Sequence, residues 1–283
     1  MIIARFVGTV LGVGLCFLPA FAAAKVTLPF STTYNCAEQA QGAAGWVNCD
    51  GLMAYGSWTT INGSPERITS AANYPGGGGG RGQRHAIGMQ TQPDLSGSLK
   101  VEFAEEQELY IRYYVRWEAG LKIGDGSASP LKEQKLVYLV GNYAGQSNGL
   151  HIDIKDSSFR VVVAGNPFDP VNNKGWNYLF GGGSDPASDG RWMRFEFHLK
   201  NGSGSTGIFQ AWADGELVTN LSNVTYGSTG FSGFVLPENH QFRTPGGPSV
   251  DSWQDMDDLA VRTTGPIGPI GSPAAPTKLR VLQ

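Results

Sequence analysis

The sequence lacks several features that would place it in common functional classes. Only 16% of its 283 residues are charged and the formal net charge is −3. The basic surplus of a dedicated nucleic-acid binder is therefore absent. No long amphipathic helix is visible, and no apolar stretch after the N-terminus is long enough to span a bilayer. We therefore expect no membrane span in the mature protein.

The first 24 residues form a short apolar segment. Arg5 is its only charged residue, and Pro19 is followed by alanines that suit cleavage by a signal peptidase. Leu15 precedes Cys16, where a lipoprotein signal has a small residue. We predict a cleaved signal peptide over residues 1–24 rather than a permanent anchor, and a secreted, periplasmic or extracellular location. Cys36 and Cys49 then remain, and in an exported chain they predict one disulfide.

Glycine and aromatic residues are abundant instead. The chain has 40 glycines, and 11% of its residues are aromatic, which favours many short strands joined by turns. Apolar and polar residues alternate over residues 109–117, 150–155 and 191–200, the pattern of strands with one buried face. Asp214-Gly215 predicts a tight hairpin. We predict an all-β fold over residues 25–264, a two-sheet antiparallel β-sandwich of the jelly-roll type. Residues 265–283 are rich in glycine and proline and predict a linker and mobile tail.

Three segments carry a resemblance to a known superfamily. Residues 192–198 (WMRFEFH), 209–215 (FQAWADG) and 256–261 (MDDLAV) occur in the order seen in the concanavalin A-like lectin/glucanase superfamily. The likeness spans roughly residues 80–262 and implies a jelly roll, but the fold hosts lectins, hydrolases, lyases and interaction modules. The glycosidase signature E-x-D-x-x-E is missing. The chain is most similar in character to jelly-roll polysaccharide lyases, and this resemblance implies β-elimination on a uronate polymer.

Two segments supply the candidate catalytic residues for such chemistry. His151 and Asp153 share the polar face of a predicted strand, where His151 would transfer the proton and Asp153 would orient it. Arg81, Arg84 and His85 follow five consecutive glycines, and Arg84 and His85 would neutralise the substrate carboxylate. A solvated strand face and a charged surface loop are the alternatives for these two segments.

Further candidates lie on other predicted strands. Tyr114 would assist proton transfer, and the candidate substrate-binding residues beside it are Arg112, Lys135, Asn142 and Trp212. Asp257 and Asp258 precede the closing strand, and their oxygens suit a structural Ca²⁺, although backbone capping by Asp258 explains them equally well. No cofactor is required by the chemistry.

Three functions remain open on the sequence. A polysaccharide lyase-like enzyme acting on an acidic glycan predicts that His151, Arg84 and Tyr114 converge on one concave face. A non-catalytic carbohydrate-binding module predicts an aromatic-lined groove without that cluster. A structural or adhesion protein of the cell surface predicts neither feature.

Overall fold

The chain folds as two packed antiparallel β-sheets. The computed structural model describes residues 25–36, 39–40, 52–55, 60–61, 64–65, 67–87, 98–120, 133–143, 146–147, 149–155, 158–163, 166–168, 188–237 and 252–270. The predicted signal peptide and Cys49 lie outside these residues. Cys36 is buried, and its disulfide with Cys49 stays a prediction. Within the described part of the chain, no helix is long and apolar enough to cross a membrane.

Among the described residues, the larger sheet has nine strands and the smaller sheet has seven. Eight strands of the larger sheet follow one path, and the ninth, β1 (Phe30–Thr32), pairs separately with β20 (Ser252–Arg262). The path runs in this order: β18 (Glu216–Val224), β17 (Gly207–Ala213), β16 (Met193–Lys200), β9 (Glu108–Trp117), β20 (Ser252–Arg262), β7 (Gly82–Ile87), β6 (Arg67–Thr69) and β2 (Gln39–Ala40).

The strands of the smaller sheet lie in this order: β15 (Asn166–Phe168), β14 (Ser158–Val163), β13 (Leu150–Lys155), β10 (Glu133–Leu139), β19 (Phe231–Leu236), β8 (Ser98–Glu106) and β3 (Met53–Tyr55). Two short hairpins and one 3₁₀-helix complete the described elements: β4 (Thr60–Ile61) with β5 (Ser64–Pro65), β11 (Asn142–Tyr143) with β12 (Gln146–Ser147), and the helix Ser70–Ala72.

The core lies between the two sheets, because each central strand points its apolar residues to one side. Period-2 alternation places every second side chain on the same face of a strand. The largest side chains that are fully buried are aromatic: Tyr34, Phe103, Tyr113, Trp117, Phe159, Phe195, Phe197, Phe209, Tyr226, Phe231 and Phe234. Phe159 of the smaller sheet meets Phe195 of the larger one edge to face, with ring centroids 5.1 Å apart. We call the opposite, non-core side of each sheet its outer face.

The structure confirms the predicted sandwich and several of its strands. Strand β13 has the bounds expected from the alternation. The hairpin between β17 and β18 turns at Asp214 and Gly215, with φ angles of 50° and 92°. Both values lie in the left-handed region that Asp-Gly turns favour, which explains why this turn was recognisable in the sequence.

Strand β20, the closing strand, begins earlier in the chain than expected. It extends back to Ser252, so the aspartates thought to precede the strand lie on it. A β-bulge between Asp257 and Ala260 interrupts its pairing with β9, and Asp258 has a φ angle of 49°. The bulge breaks the period-2 pattern, because it adds a residue that faces neither side regularly.

The glycine- and proline-rich segment that begins at residue 265 is folded over its first six residues. Glu196 on the outer face of β16 accepts the backbone N–H groups of Ile267 and Gly268. Ile270 donates its N–H to the Tyr114 hydroxyl at 3.3 Å. Residues 265–270 therefore lie against the larger sheet, and the expectation of a mobile tail starting at residue 265 is wrong for this stretch.

Candidate functional site

A cluster of polar side chains occupies the outer face of the smaller sheet. Tyr138 on β10 pairs with His151 on β13, and Lys135 pairs with Asp153. Arg160 on β14 pairs with Asp153 from the other side. Because directly paired residues of antiparallel strands share a face, these five residues lie together. We call them the His151 cluster.

A bulge in β10 makes this arrangement possible. The register between β10 and β13 shifts between Lys135 and Val137. Without the shift, period-2 alternation would send Lys135 and Tyr138 to opposite faces, since they are three residues apart. The extra residue, Leu136, is fully buried. Lys135 and Tyr138, on either side of the bulge, both project outward. β-Bulges re-aim side chains in this way and are frequent beside active sites.

The Asp153 carboxylate is the fixed centre of the cluster. It is fully buried, and Arg160 binds it in a bidentate manner, with Nε–Oδ1 and Nη2–Oδ2 distances of 2.6 and 2.9 Å. Nε2 of His151 lies 3.5 Å from Oδ2 of the same carboxylate. The His151 side chain retains 15% exposure, so a ligand on this face can reach the imidazole while Asp153 is shielded.

The Asp153 charge is sustained by its two neighbours. Burial alone works to raise the pKa of its carboxyl. The hydrogen bonds from His151 and Arg160, with the charge of Arg160, outweigh burial and hold the pKa below its ordinary value. Asp153 is therefore ionised at neutral pH and orients the imidazole, as the carboxylate of a catalytic triad does.

The structure does not bring the other predicted catalytic residues to this cluster. Tyr114 and Arg112 lie on the outer face of β9, and Arg84 lies on the outer face of β7, so all three belong to the larger sheet. His151 lies on the opposite side of the sandwich. The predicted convergence of His151, Arg84 and Tyr114 on one concave face is therefore wrong. The alternation of apolar and polar residues shows which side of a strand faces the core, but it does not show which sheet the strand joins.

Arg84 and Tyr114 have protein partners where they are. Asp255 accepts both Arg84 hydrogen bonds, at 2.7 and 2.9 Å, and also binds Arg116 at 2.9 Å. The Arg84 guanidinium stacks over Trp253 at 4.0 Å. Tyr114 stacks on Tyr74 with ring centroids 4.0 Å apart. Arg84 and Arg116 therefore share the Asp255 carboxylate. Because Arg84 is bound in this way, it is poorly placed to bind the carboxylate of a substrate.

His85 points into the sandwich instead of towards either outer face. It pairs with Gln254 and is 1% exposed. Burial lowers the pKa of its imidazole to about 3, so the ring is neutral at physiological pH. In this position His85 supplies no positive charge to a substrate carboxylate.

The five-glycine loop packs against its own protein. A Cβ on Gly77 would lie 1.9 Å from Oδ2 of Asp258, and a Cβ on Gly79 would lie 2.2 Å from the Thr33 carbonyl oxygen. Glycine is needed here because the backbone approaches these groups closely. Arg81 follows this loop and directly precedes β7.

Backbone groups hold Asp257, one of the two predicted calcium ligands. Asp257 accepts the backbone N–H groups of Tyr74 and Asp258, each at 2.7 Å. Burial raises the pKa of Asp257 to about 7. Arg112 lines the same cavity as Asp258, and the described residues contain no group of three or more His, Cys, Asp or Glu able to hold a metal. This donor set does not fit calcium, which takes six to eight oxygen ligands.

The remaining predicted binding residues are spread over the molecule. Trp212 pairs with Glu196 on the outer face of the larger sheet. Asn142 lies in the two-residue strand β11 and pairs with Ser147. His151, Asp153 and Lys135 lie together on the smaller sheet. Arg112 and Tyr114 lie beside each other on the larger sheet, with the Arg112 guanidinium 5.5 Å from the Tyr114 ring centroid.

Two members of the His151 cluster were missed by sequence reasoning. Arg160 carries a readable signal, since it lies between the apolar residues Phe159 and Val161 and faces the side opposite the core. Tyr138 carries none, because the bulge that places it beside His151 is invisible in the alternation.

The chain has structural neighbours but no match at the sequence level. No protein-family model matches it, and no curated protein does. An endo-β-1,4-glucuronan lyase from the fungus Trichoderma reesei is similar, with a TM-score of 0.49, 13% identity, and coverage of 70% of this chain and 87% of that one. The alginate lyase Aly36B gives a TM-score of 0.48 and 15% identity, covering 82% of this chain and 96% of that one.

A third neighbour is not a lyase. Botulinum neurotoxin type C, whose cell entry depends on two ganglioside molecules, gives a TM-score of 0.44 and 10% identity over 80% of this chain and 48% of the toxin chain. At these identities and TM-scores, the likenesses carry no conclusion about the activity or ligands of this chain.

Proposed function

We propose that the protein is a secreted polysaccharide lyase-like enzyme that cleaves a uronate-containing polysaccharide by β-elimination on the outer face of the smaller sheet. The observation that carries this proposal is the His151 cluster. It places an imidazole, a phenol and a lysine on one face, around a buried carboxylate–guanidinium pair.

β-Elimination needs a base, a cation and an acid. The base removes the proton from C5 of the uronate, the cation stabilises the charge that develops on the carboxylate, and the acid protonates the leaving O4 oxygen. The C5–H and C4–O4 bonds break and a C4=C5 double bond forms. No external oxidant or cofactor is required.

Each role has a residue of suitable chemistry in the cluster. His151 is the base, since its Nε2 faces the ionised Asp153 and leaves the other ring nitrogen for the C5 proton. Lys135 is half-buried on the same face and supplies the cation. Tyr138 lies directly across from His151 and is the candidate acid. Lys135 and Tyr138 thus take the roles that were predicted for Arg84 and Tyr114.

The charge of the cluster suits an anionic polymer. Arg160 already neutralises Asp153 through its bidentate contact. Lys135 contributes a second cationic side chain to the same face. A polyuronate carries one carboxylate per sugar, and such a face attracts it at low ionic strength.

The test is the ultraviolet absorbance of the unsaturated uronate produced from a panel of polyuronates, among them glucuronan, alginate and pectate. We expect His151→Ala to lower the turnover number by about 100- to 10,000-fold, the usual contribution of a general base. Tyr138→Phe and Lys135→Met should lower turnover while leaving the fold intact.

His198→Ala is the matched control. His198 lies on the outer face of the larger sheet, where its ring nitrogens contact Gln210 and Glu108, both at 2.8 Å. The His198→Ala variant removes an imidazole that is buried to a similar extent as His151 but lies on the opposite side of the sandwich. Equal loss of activity in both histidine variants, or no product from any polyuronate with the native protein, would overturn the proposal.

A further inference from the structure

A cavity of about 300 Å³ lies on the outer face of the larger sheet, on the side of the sandwich opposite the His151 cluster. Its lining includes Thr33, Arg112, Asp258, Arg262, Ile267 and Ile270. We call it the Asp258 cavity. None of these residues takes part in the proposed elimination.

A change of strand partner forms one side of the cavity. Strand β7 pairs with β20 from Ser252 to Met256, and β1 pairs with it from Leu259 to Val261. The bulge lies between these two pairings. Asp258 occupies it with a left-handed backbone and is one of the residues that line the cavity.

The folded segment 265–270 forms the other side. Glu196 and Tyr114 hold its backbone N–H groups, and Arg262 donates to the Gly265 carbonyl at 3.0 Å. Gly265 and Gly268 have φ angles of 64° and 72°, which L side chains rarely adopt. These two glycines let the segment turn back over the sheet, so that Ile267 and Ile270 line the cavity.

Three buried polar atoms of the lining residues lack a hydrogen-bond partner in the described part of the chain. They are Oδ2 of Asp258, Nε of Arg112 and Nη2 of Arg262. Asp258 is 4% exposed and Arg112 is 7% exposed. Leaving buried charged groups without partners costs stability. The protein alone therefore leaves these charged groups incompletely hydrogen-bonded.

The pKa shifts of Asp258 and Arg112 agree with the incomplete hydrogen bonding of their charged groups. Burial raises the pKa of Asp258, although Arg112 opposes the shift. Burial also lowers the pKa of the Arg112 guanidinium. Each charged form is therefore less stabilised than in water.

From this geometry we propose that the Asp258 cavity binds a single sugar acid of the hexuronate class. Two guanidinium groups suit a carboxylate, and one carboxylate accepts hydrogen bonds from sugar hydroxyls. The apolar side chains Ile267 and Ile270 suit the C–H face of a pyranose ring. A volume of about 300 Å³ is at the lower end for ligand sites, which fits one ring. Two arginines disfavour a free metal cation.

Binding is tested on the full protein with three probes, using amide chemical shifts to locate the site and calorimetry to measure affinity. The probes are glucuronate, glucose and acetate, which carry both recognition groups, hydroxyls only and carboxylate only. We expect glucuronate to bind at least tenfold more tightly than either of the others. The amides of Ile267, Gly268 and Ile270 should shift on binding.

Two variants separate the halves of the site. Arg262→Gln should reduce glucuronate affinity to the level of glucose. Asp258→Asn, which tolerates the left-handed backbone, should weaken glucuronate without weakening acetate.

His151→Ala keeps this test independent of the proposed catalytic function. It should leave glucuronate affinity at the Asp258 cavity unchanged even where it abolishes elimination. The inference is overturned by the absence of saturable glucuronate binding, by acetate binding as tightly as glucuronate, or by shifts confined to the smaller sheet.

Discussion

Removing the Arg160 guanidinium should destabilise the protein severely, because it holds the buried Asp153 carboxylate in a bidentate contact. The carboxylate is fully buried, and His151 lies farther from it, at 3.5 Å, than the two Arg160 nitrogens at 2.6 and 2.9 Å. In Arg160→Met the side chain keeps its length and loses its charge. Breaking a buried ion pair by removing one partner costs about 3–5 kcal/mol.

The cost of protonating Asp153 sets an upper limit on the loss of unfolding free energy. The variant can protonate Asp153 instead of burying its charge. Protonating a carboxyl of ordinary pKa ~3.9 at pH 7 costs about 4 kcal/mol. We therefore expect Arg160→Met to lose about 3–4 kcal/mol of unfolding free energy near pH 7.

The pH dependence gives the sign of the effect. In the native protein the pKa of Asp153 is depressed, so its contribution to stability is present above pH ~4 and is lost as the pH falls further. In Arg160→Met burial dominates and raises the pKa above its unfolded value. The variant should therefore recover stability as the pH falls from 7.5 towards 5, where the native protein gains nothing from this group.

Urea unfolding followed by tryptophan fluorescence at pH 5 and 7.5 measures both effects. Arg191→Met is the control, because Arg191 binds Asp214 at 3.1 Å in an exposed pair, and such pairs contribute less than about 1 kcal/mol. A double variant, Asp153→Leu with Arg160→Met, should regain much of the loss, since apolar replacement of a buried pair is often neutral. Equal small losses in both single variants would refute the reasoning.

Two further predictions concern the larger sheet. Gly79→Ala should cost about 1–3 kcal/mol, because its Cβ would meet the Thr33 carbonyl, whereas Gly78→Ala, with nothing within 4 Å, should change stability by less than about 0.5 kcal/mol; equal melting temperatures would contradict this. The raised pKa of Asp257, about 7, predicts that its contribution to stability falls as the pH rises from about 4 to about 7. Carboxyl ¹³C titration checks it, and a midpoint below 5 would contradict the burial argument.

Local pattern was sufficient to predict the architecture and part of the site. Strand β13 was identified with its correct bounds, and the alternation placed His151 and Asp153 on one polar face. The Asp-Gly turn between β17 and β18 has the positive φ angles that its composition requires. These features depend on residues close together in the chain, and so they are readable without knowledge of the fold.

The failures have a common physical origin in non-local pairing. Alternation shows that Tyr114 faces away from the core, but the sheet that β9 joins depends on distant strands. For the same reason, the sequence did not show that Arg84 and His151 lie on different sheets. Bulges made the alternation misleading at Tyr138 and at Asp258. One inserted residue moves every following side chain of the strand to the opposite face of the sheet.

The measurement that tests the account most directly is a crystal structure of the Tyr138→Phe variant with a uronate oligosaccharide. Loss of the proposed acid should slow cleavage enough to trap the substrate. The account predicts a sugar on the outer face of the smaller sheet, with its C5 hydrogen towards the His151 ring and its carboxylate within hydrogen-bonding distance of Lys135. An oligosaccharide bound only on the larger sheet, against Trp192 or Trp253, would contradict it.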